Sequence, residues 1–167
     1  MSLSGFNHML HWSEFQLVPQ PATGVVKEAE VAVLTDINWQ TAIAHNGDCH
    51  VVGIKASIRV DQNQSWVLNG KKGVYLRHHE QGHYDIVAIG MREMYNKIHA
   101  LIKSRCEDIN REARRIQQEI QQQTDHCRQR YAKQTHHGGN RAVQSAWEAQ
   151  IKSIKLSGKG VLADLPN

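Results

Sequence analysis

The sequence predicts an α+β fold: a small N-terminal antiparallel sheet packed on a long helical hairpin, within one domain spanning residues 1–167. Three observations predict it. The stretch "GIKASIRVDQ" (53–62) alternates apolar and polar residues with period two. From Val74 onward the apolar residues recur every three or four positions instead. Over the same stretch no proline occurs before Pro166, and no glycine lies between Gly90 and Gly138.

The β-rich part covers residues 1–73. In "GIKASIRVDQ", Ile54, Ala56, Ile58 and Val60 share one face and Lys55, Ser57, Arg59 and Asp61 the other, the pattern of a half-buried strand. "EVAVLTDINWQTAIA" (30–44) supplies weaker strand candidates, "AHNGDC" (44–49) reads as the turn between strands, and "QNQSWVLNGKKG" reads as a closing loop. The helical part covers 74–154. Ile98, Ile102, Cys106, Ile109, Ala113, Ile116, Ile120, Cys127 and Tyr131 form one apolar stripe, while "RRIQQEIQQQ" lies between them as a solvated face. A turn near Lys103–Arg105 makes this stretch a hairpin. "THHGGN" (135–140) stops the second arm, and "RAVQSAWEAQIKSI" (141–154) reads as a further short helix.

Composition excludes several classes. With 40% hydrophobic and 22% charged residues the chain is ordinary globular material. Its +4 charge is modest. The basic excess sits in the second half and is scattered, not striped, so nucleic-acid binding is not expected. No apolar run approaches the ~20 residues of a membrane span, and "MSLSGFNHML" has neither the basic nor the apolar stretch of an export leader. Cys49, Cys106 and Cys127 lack zinc-finger spacing. Cys106 and Cys127 would stand roughly 31 Å apart along one continuous helix, too far to bond each other. That leaves either one pair involving Cys49 or three free thiols.

The chemistry concentrates in "HEQGH" (79–83), an H-E-x-x-H. On a helix, residues i and i+4 share a face, so His79 and His83 can offer two imidazoles to one Zn2+ ion. Glu80, one step round, is placed to take a proton from a metal-bound water attacking a peptide carbonyl. Surface histidines are the bland alternative in a chain with 11 histidines. The position of the motif, directly after a β region and at the start of a long helix, favours the metal site. His78 faces elsewhere. A catalytic zinc takes three protein ligands, and Glu107, Asp108, His126, His136 and His137 are candidates for the third. Two hairpin arms of about 28 residues, roughly 40 Å each, return residues 131–137 to the level of His79. The loop "THHGG" is therefore the natural donor.

"HEQGHYDI" followed by "YAKQTHHGGNRAVQSAWEAQI" resembles an uncharacterised bacterial family described as predicted secreted zinc-dependent proteases. Its members carry H-E-x-G-H-x-D-I and then a pattern like Y-D-x-x-T-x-H-G. The upstream "LHWSEFQLVP" is similar to the family's opening L-x-W-x-D-F, and the resemblance covers about residues 10–152. It implies a zincin-like domain with His79, His83 and His137 as zinc ligands and Glu80 as general base. It further implies a transition-state contact for Tyr131, loop bracing for Thr135 and a supporting role for Asp85. Where the family has an Asp after the tyrosine this chain has Ala132. The family pattern, with the turn position of Cys106, favours a Cys49–Cys106 disulfide and a periplasmic or secreted location. The expected partner is a peptide or protein substrate. Two other functions share the site: a non-catalytic, zinc-stabilised binding module, for which Glu80 would be unnecessary, and a hydrolase of cell-wall peptide amides.

Overall fold

The computed structural model describes residues 3–20, 24 and 27–167. Its strands are β1 (Leu3–Ser4), β2 (Gln16–Val18), β3 (Ala29–Glu30), β4 (Val33–Ile43), β5 (Cys49–Val60), β6 (Trp66–Leu68) and β7 (Ile102–Lys103). Its helices are α1 (Val74–His99), α2 (Cys106–Gln134) and α3 (Arg141–Ser157). The α+β class expected from the sequence is the class observed.

The β part departs from the expected single antiparallel sheet. Among the described residues there are two small sheets, one with the order β1-β5-β4 and β7 also pairing β5, the other with the order β2-β6-β3. Each contains a parallel pair, β1 with β5 and β2 with β6. Such pairings join segments about 50 residues apart, and strands of two or three residues are too short for alternation to reveal. For the same reason β6 lies hidden in what reads as a closing loop. Val67 is nonetheless completely buried there. The main hairpin does follow its pattern: β4 and β5 pair antiparallel, with Ile54, Ala56 and Ile58 buried and Lys55 and Arg59 exposed.

Helix α1 is the axis of the molecule. From Gly82 to Tyr95 every residue but Asp85 is buried, because the helix is packed by β5, α2 and α3 on different sides. A helix enclosed on all sides can keep charged residues only where they are satisfied. Arg92 donates to the carbonyls of Ile154, Lys155 and Gly160 at the end of α3, and Glu93 accepts from Leu162 N–H at 3.1 Å. Helix α2 is amphipathic instead, burying Ile109, Ala113, Ile116, Ile120, Thr124, Cys127 and Tyr131. Ile102 does not belong to this stripe. Helix α1 ends at His99, and Ile102 sits in β7, paired with His50 and largely exposed.

Two devices fix the ends of the hairpin. A Cys49–Cys106 disulfide ties the first residue of β5 to the first residue of α2, with Cα atoms 5.2 Å apart, and leaves Cys127 as a buried free thiol. At the other end, Asn140 caps α3 by accepting from Val143 N–H. The turn between α2 and α3 brings residues 135–138 back against the start of α1.

Candidate functional site

His79 and His83 stand one helical turn apart on α1, their rings 4.9 Å apart between centroids and nearly perpendicular. Both are buried. Glu80, also buried, accepts a hydrogen bond at Oε2 from Val31 N–H at 2.8 Å. Val31 occupies the two-residue link between β3 and β4, so the short sheet edge anchors the carboxylate.

The fourth residue arrives from the turn after α2. His136, His137 and Gly138 all adopt positive φ (48°, 53° and 91°). Left-handed backbone is costly for non-glycine residues, at about 1–2 kcal/mol each, and such strain clusters at functional positions. Here it reverses the chain in three residues and aims His137 at α1, leaving His136 exposed. Gly138 sits so near His79 that a Cβ there would lie 3.3 Å from its Cγ.

His79, Glu80, His83 and His137 line one cavity of about 30 Å³, together with Lys27, Ala29, Glu30 and Arg128. That volume suits a water-sized occupant. The Nδ1 atoms of His83 and His137 are buried without a hydrogen-bond partner among the described residues. Burial, and then the nearby His137, push the His79 pKa down to about 4; burial foremost holds His83 well below the ordinary histidine range. Both rings are therefore neutral at pH 7, the form that ligates metal. Burial pushes Glu80 up to about 7, with Val31 N–H, Lys27 and Arg128 pulling the other way.

The donor set fits zinc in its chemistry: three imidazoles and one carboxylate on a single cavity. Among the described residues, however, no three His, Cys, Asp or Glu side chains form a group able to hold a metal ion as they stand.

Tyr131 lies behind this cavity, not in it. It is completely buried, its ring stacks on His79 at 4.9 Å, and its hydroxyl donates to the His79 carbonyl at 3.2 Å. The transition-state contact expected of it is not made from this position, because Gly82 and His79 enclose the hydroxyl. What it offers is support for the first histidine. Thr135 donates to the Tyr131 carbonyl at 2.7 Å and lies 3.5 Å from His79 Nδ1. It thus faces the ring while bracing the turn. Asp85 points away from the rings. It binds Lys155 at 2.6 Å and Gln81 at 3.1 Å, joining α1 to α3. Of the other candidates, His126 is exposed, while Glu107 and Asp108 pair with Arg105 and Arg111 at the far end of α2. His78, expected to face elsewhere, is exposed.

Sequence reasoning missed Val31, Lys27 and Arg128. Arg128 was within reach of a pattern argument, since it lies three residues before Tyr131 on the same helix. Val31 acts through its backbone and leaves no trace in side-chain type.

Over residues 20–138 the chain matches the family described as "Bacterial protein of unknown function (DUF922)", and it belongs to that family. The matched stretch includes His79, Glu80, His83, Tyr131 and His137 and names no activity. No curated protein and no solved structure matches the chain.

Proposed function

We propose that this chain is a zinc-dependent peptidase, with His79, His83 and His137 as ligands and Glu80 as general base. The observation that supports it best is the convergence of these four side chains on one cavity, with two buried imidazole nitrogens left without partners among the described residues. An unpaired buried ring nitrogen costs about 1–3 kcal/mol, and a metal ion would remove that cost twice. Because the histidines do not form a ready set as they stand, metal entry requires the side chains to shift. His137, held on a strained turn, is the one of the three that is not fully buried.

Zinc, when bound, supplies a Lewis acid and a water of lowered pKa. The protein's own contribution is proton handling and orientation. Glu80, held by Val31 N–H, takes the proton of the attacking water and delivers it to the departing amine. A carboxyl group poised near neutrality can do both. Tyr131 stacks on His79 and Thr135 faces its Nδ1, so the ring is held in place. The Cys49–Cys106 disulfide supports an oxidising compartment, periplasmic or extracellular, as the place of work.

The test is elemental analysis of zinc-soaked protein, followed by a broad peptide-cleavage assay with and without chelator. One equivalent of zinc and chelator-sensitive cleavage are expected. Glu80→Gln should keep the zinc and lose about 10²–10⁴-fold in turnover. Absence of stoichiometric metal would end the proposal. Cleavage unaffected by Glu80→Gln would remove Glu80 from the mechanism.

A further inference from the structure

The small cavity adjoins a cleft of about 420 Å³ that shares Lys27, Glu30, His83, Arg128 and His137 with it and continues along α2 past Asp125, Gln129, Ala132 and Lys133. Arg128 sits where the two meet. Its guanidinium donates to Val31 O at 3.1 Å, its single hydrogen bond among the described residues, and its Nε is buried without a partner. It makes no ion pair among the described residues. The neighbouring acids are otherwise disposed: Glu30 is paired with Lys27 at 3.1 Å, and Glu80 is held by Val31 N–H. Val31 therefore fixes both groups at once, the carboxylate through its N–H and the guanidinium through its carbonyl.

A half-buried guanidinium with most of its donors unused lies beside the proposed site of chemistry. Guanidinium is built for planar, two-point recognition of carboxylates. On the cleft wall, Lys133 adds an exposed cation without an ion-pair partner among the described residues, and Asp125 is the opposing charge. Glu80, Asp125 and Glu30 act on Arg128 from a distance, but none pairs with it among the described residues, so the desolvated guanidinium keeps donors open to an anion from outside.

We propose that this cleft is a carboxylate-binding subsite, in which Arg128 takes a carboxylate of the bound peptide. The carboxylate belongs either to an acidic side chain or to the peptide's C-terminus. The identity of the ligand as a peptide rests on the peptidase reading; the anion site itself does not. Arg128 is thus a specificity-determining residue that touches substrate.

Three acetylated alanine pentapeptides separate the cases: an amidated one with a central glutamate, an amidated one with a central glutamine, and an all-alanine one with a free C-terminal carboxylate. Binding is titrated calorimetrically on metal-free protein, so that neither turnover nor direct carboxylate–zinc contact contributes. One carboxylate peptide should bind at least about tenfold tighter than the glutamine peptide, the scale of a sheltered charge-assisted pair. The peptide that does so names the source of the carboxylate. Arg128→Gln should abolish the preference. Arg128→Lys, which keeps the charge without the fork, should reduce it several-fold and serves if the glutamine variant misfolds. Equal binding of all three peptides, no binding of any, or a preference that survives Arg128→Gln overturns the proposal. The zinc-loaded protein is then given a mixed peptide library, with cleavage read by mass spectrometry. A carboxylate preference in binding without any cleavage would sink the peptidase reading and leave the subsite standing; cleavage indifferent to acidic residues and free C-termini, with no binding preference, would do the reverse.

Discussion

Helices α1 and α2 approach each other through two glycines on α1, and substituting them tests how the site is held. A Cβ on Gly82 would lie 2.3 Å from Tyr131 Oη, 2.6 Å from its Cζ and 2.9 Å from its Cε1. Gly82→Ala gains about 1 kcal/mol of helix propensity. Against that stand about 1–3 kcal/mol for overpacking a buried ring and about 1 kcal/mol if the Tyr131–His79 hydrogen bond breaks. The variant should therefore lose about 1–3 kcal/mol in urea unfolding of the metal-free protein. Tyr131→Phe should not rescue it, since Cζ still blocks the new methyl. Gly90 offers the contrasting case. A Cβ there meets Thr124 Oγ1 at 2.3 Å, but the next atoms, Thr124 Cβ and Leu162 Cδ1, are at an ordinary 3.5 Å. Gly90→Ala alone should cost about 0–2 kcal/mol, because a β-branched threonine yields poorly within a helix. In a Thr124→Ala background the same change should stabilise by about 1 kcal/mol, a coupling of about 1–3 kcal/mol across the cycle. A Gly82→Ala protein as stable as the parent, or a Gly90/Thr124 cycle with no coupling, would refute the close-approach reasoning.

The remaining predictions concern the site and the disulfide. In zinc titrations His137→Ala should lose affinity while His136→Ala, altered at an exposed side chain, keeps it; the opposite ranking would move the third ligand by one residue. In the metal-free protein His79, with its pKa near 4 in the folded state and 6.5 unfolded, stays neutral in the fold while the unfolded chain takes up a proton, so stability falls as pH drops from about 6.5 to about 4. Between pH 7 and 5 this amounts to about 2 kcal/mol from His79 alone. Glu80, with its pKa near 7 in the fold, has the opposite sign and offsets a similar amount over the same range. His83, also held well below the ordinary histidine range, adds a loss of the same sign as His79. Urea unfolding at pH 7 and pH 5 should thus show stability falling in the parent protein and falling by about 2 kcal/mol more in Glu80→Gln; equal slopes would contradict the assignment. Reducing Cys49–Cys106, which spans 57 residues, should cost about 4 kcal/mol by loop entropy, read as a fall in the urea midpoint with dithiothreitol.

Long elements were legible because period and length agree. Helices α2 and α3 bury one stripe each, and the β4–β5 hairpin alternates, so a one-dimensional pattern carries their geometry. Helix α1 shows the limit of that logic. Its arms are placed correctly by the absence of proline, yet enclosure on all sides erases the periodicity that would say what packs where. The short strands were illegible for a different reason. β1, β2, β3 and β6 exist because distant segments meet, and two or three residues cannot advertise a partner some 36 to 53 positions away.

The site divides along the same line. The spacing of His79 and His83 and the hairpin arithmetic lead to one cavity and to the loop 135–139, as consequences of helix geometry, while the choice of His137 within that loop rests on the family pattern. The role of Tyr131 could not be read this way. A tyrosine beside two histidines can face the substrate or brace a ring, and the choice is made by Gly82, whose missing side chain lets the ring slide in behind His79. Arg128 and Glu80 depend on still less visible chemistry, the two backbone groups of Val31. Val31, in the link after β3, holds the Glu80 carboxylate through its N–H and the Arg128 guanidinium through its carbonyl. Any shift of the β3–β4 link must therefore move carboxylate and guanidinium together. That coupling gives the edge of a two-residue strand control over the site, although its only side-chain signature is a valine.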